Sequence, residues 1–255
     1  MNTQVQRIAL ITGGSRGLGR NTAESLARKG VDSVITYHSR AEEALALVAQ
    51  LQAQGRRAVA LQLDTGALKT FAAFVDRLKK ALQGTWSRSS FDYLVNNAGI
   101  SHHAAFDKVT EEELDSLYQV HFKGVFFLTQ KLLPLINDGG RIVMISSGTT
   151  RIIFPGSAAY ACMKGAVEVL TLYLAKELGP RRIAVNTVAP GAIATDFSGG
   201  MVRDKPEVNK IVADMTALGR AGVPDDIGPM IASLLSEDNR WVNAQRIEVS
   251  GGMSI

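Results

Sequence analysis

The chain has 255 residues, 46% hydrophobic and 20% charged, with a net charge of +4 from 28 basic and 24 acidic side chains. That composition excludes disordered and fibrous classes, and at roughly 150 residues per domain the length fits one large domain or two small ones. A lone cysteine, Cys162, excludes an intrachain disulfide, and neither the polar start Met1 to Arg7 nor the apolar stretch Val120 to Leu133, broken by His121, Lys123 and Lys131, reads as a signal or a membrane span.

A cytoplasmic protein with no membrane partner is therefore expected. Arg7 to Thr12 is short, apolar and rich in β-branched residues, which predicts a strand; glycines follow, then a helical pattern from Leu18 to Lys29 closed by Gly30. Val31 to Tyr37 reads as a second strand, Arg40 to Gln54 as a helix ended by Gly55, and Ala58 to Leu63 as a third strand. Phe71, Phe74, Val75, Leu78 and Leu82 recur at helical spacing before a strand over Phe91 to Val95, and a long helix precedes the strand Arg141 to Ile145. A helix over Ser157 to Leu178, a strand over Ile183 to Val188, a glycine-rich loop, a helix near Asp225 to Leu235 and a strand Arg246 to Val249 complete the series. This alternation predicts an α/β fold, a doubly wound parallel sheet of about seven strands with helices on both faces, and no linker divides residues 1–255.

Thr12-Gly13-Gly14-Ser15-Arg16-Gly17-Leu18-Gly19 joins the first strand to the first helix. Glycines there let the backbone approach a pyrophosphate, while the helix N-terminus supplies unpaired N–H groups and a partial positive charge. The second strand ends in Thr36-Tyr37-His38-Ser39-Arg40, with no acid to bond the adenosine ribose of NAD(H). Arg16, His38 and Arg40 instead form a basic set suited to a 2′-phosphate, so NADP(H) is expected over NAD(H); the competing reading leaves them as solvated surface side chains. Charge placement agrees with a nucleotide site. Residues 1–40 hold six basic side chains (Arg7, Arg16, Arg20, Arg28, Lys29, Arg40) against two acidic ones (Glu24, Asp32), which is the whole +4. The remaining residues balance, which speaks against a nucleic-acid partner.

Tyr160 and Lys164, four apart on a predicted helix, share a face. A tyrosine, with an ordinary pKa of about 10, becomes a usable acid or base when an adjacent ammonium favours its phenolate. Ser147 follows the fifth strand, at the edge where open α/β sheets place ligands, and its hydroxyl can hold a substrate oxygen.

With Asp64 after the third strand, Asn96-Asn97-Ala98-Gly99 after the fourth and Asn186-x-x-x-Pro190-Gly191 after the sixth, the chain resembles, over nearly its whole length, the short-chain dehydrogenase/reductases. The resemblance implies a Rossmann fold and an NADP-dependent, reversible reduction of a ketone or 3-oxoacyl-type carbonyl by hydride transfer. It implies that Tyr160 transfers the proton, that Ser147 orients the carbonyl or hydroxyl, and that Lys164 lowers the tyrosine pKa while binding the nicotinamide ribose. The cofactor set it implies comprises Gly13, Ser15, Arg16, Gly17, Leu18 and Gly19 of the glycine turn, Tyr37, His38 and Arg40, Asp64 against adenine, and Asn96, Ala98 and Gly99 along the site. Tyr160, Lys164, Pro190 and Gly191 complete it, with Ile193 and Thr195 on the nicotinamide amide.

The pattern departs at Val120-His121-Phe122-Lys123-Gly124, where the family usually carries a catalytic asparagine in place of His121. Leu114, Leu117, His121, Val125, Leu128 and Leu132 form one helical stripe, which turns His121 inward. Three readings stay open: a hydrogen-bonded core histidine, a substitute relay connecting Lys164 through water to solvent, and lost chemistry. The last defines an alternative function, a non-catalytic NAD(P)-binding regulatory protein of the same fold.

His102 and His103 either border the substrate or lie exposed in a loop, and no third ligand suggests a metal. Cys162 is expected as a small buried side chain rather than a nucleophile. Ala192 to Ala217, with Phe197, Gly199, Gly200, Met201 and Met215, suits a loop closing over substrate. The helices carrying Phe122, Phe126 and Phe127, and Val169, Leu172 and Tyr173, are apolar almost all round, which predicts a homodimer or homotetramer.

Overall fold

The computed structural model describes residues 6–255. Each apolar run becomes a strand: β1 (Ile8–Ile11), β2 (Asp32–Tyr37), β3 (Ala58–Gln62), β4 (Phe91–Asn96), β5 (Ile136–Ile145), β6 (Ala184–Pro190) and β7 (Arg246–Val249). They form one parallel sheet in the order β3-β2-β1-β4-β5-β6-β7. The sheet grows one way from β1 to β3 and the other way from β4 to β7. The C-terminal ends of β1 and β4 therefore flank a crevice, the place where such sheets bind ligands.

Helices α1 (Gly17–Arg28), α2 (Ala41–Ala53), α3 (Phe71–Trp86), α4 (Glu111–Tyr118), α5 (Gly124–Leu132), α6 (Ala158–Glu177), α7 (Met201–Asp204), α8 (Pro206–Asp214) and α9 (Pro224–Leu234) cover it. Leu26, Leu47, Leu51, Ile227 and Ile231 of α1, α2 and α9 pack on one face, and Phe71, Phe74, Leu128, Leu132 and Val167 of α3, α5 and α6 on the other. Both faces are buried, which is why β1 is an unbroken apolar run rather than an alternating one, and why β2 buries even Asp32, Ser33 and Thr36.

Two elements differ from the sequence reading. β5 begins at Ile136, not Arg141, because Asn137 to Gly140 pair irregularly opposite β4, with the register shift between Phe91 and Tyr93. A Cβ on Gly140 would lie 2.7 Å from the carbonyl oxygens of Asp92 and Asn137, so only glycine fits that close approach. The long helix before β5 is α4 and α5 joined by one widened π turn, Gln119–Lys123. A Cβ on Gly124 would lie 2.0 Å from the Thr65 carbonyl oxygen, so the glycine lets the helix touch the loop after β3. Thr110 and Glu113 start α4 with a reciprocal capping box.

Among the described residues one helix, α6, is long and apolar enough to cross a membrane, where the sequence predicts no such segment. In the fold, Val167 and Leu170 are buried, Lys164 reaches the β5 backbone, and Thr171 bonds Thr187 of β6. α6 thus packs one face on the sheet and leaves Val169, Leu172 and Tyr173 exposed on the other.

Candidate active site

The glycine turn is braced from β4. The Thr12 hydroxyl accepts from the N–H groups of Asn97 (2.9 Å) and Ala98 (3.0 Å), and the Asn97 carboxamide donates to the carbonyls of Thr12 (2.8 Å) and Gly13 (3.1 Å). Gly13 has φ +64°, and a Cβ there would meet the Ala98 Cα at 2.9 Å; a Cβ on Gly19 would meet the Gly13 oxygen at 2.3 Å. α1 begins at Gly17 with no side-chain cap and no acidic residue in its first turn. Bare N–H groups over a side-chain-free cradle fit a nucleotide pyrophosphate, and Gly13, Ser15, Arg16, Gly17, Leu18 and Gly19 are placed to hold it. Thr195 faces Gly17 across the crevice, 3.9 Å from where a Cβ would stand.

Asn96 departs from expectation. Its carboxamide is buried and donates to Thr129 Oγ1 (3.0 Å) and Met144 Sδ (3.1 Å), so it ties β4 to α5, and Asn97 is the residue that reaches the cofactor turn. The adjacent identical residues face opposite ways because strand side chains alternate.

The basic set is divided. Arg16 and Arg40 line one cleft of about 670 Å³ with Gly99, Ile100, Ser101, Asp196, Phe197 and Arg203. His38 stands apart, 71% exposed, with Nε2 3.6 Å from Asp64. Arg16 pairs with Asp196 (3.3 Å) and Arg40 with Glu43 (2.6 Å), so all three are exposed and each faces a carboxylate. Asp64 accepts from the Gly66 N–H at 2.8 Å. Tyr37 packs half-buried against the α1/α2 side of the core.

At the other end of the crevice, Ser147 follows β5, and Tyr160 and Lys164 lie one turn apart on α6. The Lys164 ammonium is 5.5 Å from the Tyr160 ring centre and donates to the Ile145 carbonyl at 2.8 Å. Burial pushes Lys164 down to about 7. Burial also pushes Tyr160 up to about 12, against a hydrogen bond from Ser147 that lowers it. The sequence reading expected Lys164 to lower the tyrosine; here desolvation wins, and the phenol is protonated.

His121 lies in the π turn, 1% exposed, as its stripe predicts. Its Nε2 is 2.7 Å from the Ile100 carbonyl and 3.1 Å from the Ile100 N–H, and its Nδ1 is buried without a partner. The shorter contact assigns the Nε2 proton to the carbonyl and leaves Nδ1 a bare acceptor. Burial first, and then the Lys164 charge, push His121 down to about 3, so it is neutral at ordinary pH and carries no titration of its own there. Gly99 is required beneath it: a Cβ would lie 2.7 Å from the imidazole Cε1.

Phe197 covers Tyr160 with ring centres 6.0 Å apart, and the following Ser198, Gly199 and Gly200 all have positive φ, the hinge the sequence suggested. Asp196 ties this segment to Arg16 and, by a short contact, to Arg203; its carboxyl is held below its usual range by Arg203. Pro190 ends β6, Gly191 donates to the Val249 carbonyl at 3.0 Å, and Ile193 pairs with Gly222.

His102 and His103 do not reach the cleft, whose lining stops at Ser101. His103 is exposed and lies on Gly156, and His102 sits 3.5 Å from Glu113. Cys162, expected buried, is exposed on the outer face of α6. Among the described residues no three His, Cys, Asp or Glu gather as a metal site. The sequence assigns no role to Asn97, Asp196 or Glu168; Asn97 carries a signal as part of the Asn96-to-Gly99 motif, and Glu168 as one further four-residue step after Tyr160 and Lys164.

The family profile described as enoyl-(acyl carrier protein) reductase matches residues 13–254. An uncharacterized oxidoreductase of Methylorubrum extorquens is 36% identical over 249 residues, 97% of each chain. The hydroxynaphthalene reductase-like protein Arp2 of Metarhizium brunneum is 35% identical over 258 residues, 96% of this chain and 94% of its own. Among solved structures, the promiscuous reductase LugOII, which catalyses keto-reduction at C1 during lugdunomycin biosynthesis, superposes with a TM-score of 0.93 at 37% identity over 98% of both chains. The angucycline C-6 ketoreductase LanV with bound NADP gives 0.92 at 34% identity over 97% of this chain and 95% of its own.

Proposed function

The chain belongs to the short-chain dehydrogenase/reductase family and is a carbonyl-reducing oxidoreductase, and on that premise we propose that it reduces a ketone on a fused-ring aromatic substrate with NADPH, Tyr160 donating the proton. The observation that carries this reading is geometric: Ser147 follows β5 at the sheet edge, and Tyr160 and Lys164 lie one turn apart on α6 with the ammonium 5.5 Å from the phenol ring centre. NADPH supplies the hydride when bound.

The chain's own work is positioning and one proton. Tyr160 keeps its proton at neutral pH, and a protonated phenol is what the reductive direction consumes. The Ser147 hydroxyl accepts from the Thr149 N–H at 3.2 Å and turns its own proton toward the Tyr160 phenol, from which a substrate oxygen set between the two would take it. Lys164, pushed to about 7, is divided between ammonium and amine at neutral pH, so it can pass a proton on toward the phenol. His121 stands at the position of the family's usual asparagine, with Nε2 committed to Ile100 and Nδ1 an acceptor in the field of Lys164.

The NADPH choice is supported by the missing acid after β2, by Arg16 and Arg40 on one cleft, and by the NADP bound to LanV. The aromatic substrate class is supported by the relatives, which include the hydroxynaphthalene reductase-like proteins and the angucycline ketoreductase, and by Ile100 and Phe197 on the cleft, with the Tyr160 ring against Phe197. Self-association through the outer faces of α5 and α6 completes the reading. A panel of fused-ring quinones and ketones, simple ketones and β-ketoacyl thioesters, assayed by oxidation of NADPH and NADH, tests it. NADPH-dependent turnover of fused-ring ketones is expected, with NADH worse by about tenfold or more, the worth of one charge-assisted contact. NADPH binding with no turnover across the panel would favour the regulatory alternative.

A further inference from the structure

Beneath the Ser147 turn lies an ionic network that the mechanism above does not use. Glu168 sits on α6 one turn beyond Lys164, so Tyr160, Lys164 and Glu168 occupy successive turns of one helix face. Its Oε1 accepts three bonds: from Ser146 Oγ at 2.6 Å, Thr150 Oγ1 at 2.9 Å and Arg246 Nε at 2.9 Å. Ser146 and Thr150 bracket the turn that Ser147 begins. Arg246, from β7, also donates through Nη2 to Thr150 Oγ1 at 2.9 Å and to the Ser147 carbonyl at 3.4 Å. Thr150 has one hydroxyl proton and two acceptors, Glu168 and the Ser147 carbonyl at 3.1 Å. The carboxylate takes it, because a charged acceptor makes the stronger bond. Behind Arg246 stands Glu248 at 3.2 Å, gripped in turn by two bonds from Arg151 of 2.6 and 2.8 Å. The Glu168 and Arg246 side chains are only 19% and 27% exposed, so water and salt screen them less than a surface pair.

We propose that Glu168, braced by Arg246, is a positioning residue that ties the Ser147 turn to the helix carrying Tyr160 and Lys164, and so sets where the Ser147 hydroxyl stands relative to the phenol. The proposal rests on the reductase reading. Three donors converge on one oxygen, and a neutral amide at that place receives them less well than a carboxylate. A reacting group misplaced by about 1 Å costs on the order of 10²-fold in rate.

Glu168→Gln is therefore expected to lower kcat by about 10- to 100-fold while the Kd for NADPH stays unchanged, and Glu168→Asp to recover part of the loss. Amide hydrogen exchange over residues 148–152 quickens in Glu168→Gln. In a Ser147→Ala background the same substitution costs no more than about twofold, because its effect passes through Ser147. Thr150→Val removes one link of the network and gives the same pattern at smaller amplitude, which serves if Glu168→Gln does not fold. Wild-type kcat and unchanged exchange in both variants overturn the proposal, as does an undiminished loss in the Ser147→Ala background. If the wild type reduces nothing, the reductase reading falls, and the exchange comparison still decides whether Glu168 holds the turn.

Discussion

The imidazole of His121 stands edge-on to the phenol ring of Tyr160, with ring centres 5.2 Å apart and planes at 89°. One side chain thus packs the catalytic ring and, through Nε2, holds the Ile100 backbone on the cleft wall.

Burying that imidazole neutral has a signed consequence for stability. Its pKa falls from 6.5 to about 3 on folding, so below the unfolded value the unfolded chain binds a proton that the folded chain refuses. The contribution is complete above pH 6.5 and drains away as pH falls toward 3. His121→Asn removes this titration, so the drop in Tm between about pH 7 and pH 4 should be smaller in the variant than in the wild type. If His121 also relays protons, His121→Ala lowers turnover more than His121→Asn; the reverse order would count against the relay.

Tyr160→Phe keeps the ring between His121 and Phe197 and removes only the hydroxyl. General acid catalysis contributes roughly 10²- to 10⁴-fold, so kcat should fall by that order with the Kd for NADPH little changed. Substantial residual turnover refutes the proton-donor role. Lys164→Met should abolish turnover yet raise stability at neutral pH. Lys164 falls from 10.5 to about 7 on folding, so the folded state is disfavoured below the unfolded value, and the gain from the variant shrinks as pH rises toward 10.5.

Much of this architecture was legible because its determinants are local. β1 announces itself as an apolar run, the glycine turn as a spacing, and the pair Tyr160 and Lys164 as one helix face. What was not legible depends on contacts between distant segments. The first half of β5 hides behind Asn137, Asp138 and two glycines, and is a strand only because β4 lies beside it. The π turn at His121 lies just before Gly124, whose close approach to the Thr65 carbonyl has no sequence period. Asn96 and Asn97 are identical residues whose opposite facings are decided by strand phase, and the fall of Lys164 rather than of Tyr160 follows from burial.

Cofactor choice should respond to the β2 end. An aspartate at position 38 offers the ribose acceptor that this segment lacks and repels a 2′-phosphate, so His38→Asp should move the ratio of kcat/KM values toward NADH. Arg16→Ala should weaken NADPH more than NADH, by the roughly tenfold or more that a charged hydrogen bond carries. Equal effects on the two cofactors would place the 2′-phosphate elsewhere. Arg16→Ala also removes one of the two arginines that hold Asp196, leaving Arg203, so exchange across residues 196–204 should quicken modestly without any cofactor.

Two glycines should answer alanine in opposite directions. Gly84 lies within α3 with nothing within 4 Å of an added Cβ, so Gly84→Ala should stabilise by about 0.5–1 kcal/mol, the helix propensity difference. At Gly124 the Cβ would stand 2.0 Å from the Thr65 carbonyl oxygen, and a backbone atom cannot swing aside as a side chain can. Gly124→Ala should therefore cost more than Gly84→Ala gains, seen as a fall in Tm, and it should slow turnover because the π turn carrying His121 must shift.

Self-association is the remaining expectation with a direct test. Val169, Leu172 and Tyr173 on α6 are 53%, 53% and 65% exposed, and Phe126 and Phe127 on α5 are 38% and 37% exposed, on helices whose other sides already pack the sheet. Large apolar side chains grouped in this way signal a covering partner more than isolated ones do. The cheapest cover is a second copy presenting the same helices about a two-fold axis, since one patch then serves both chains. Light scattering should give a dimer or tetramer. Leu172→Glu, which buries an unpaired charge at that contact, should shift the mass toward monomer while leaving the cofactor turn intact. A wild-type monomer would leave this face without a partner and overturn the assignment.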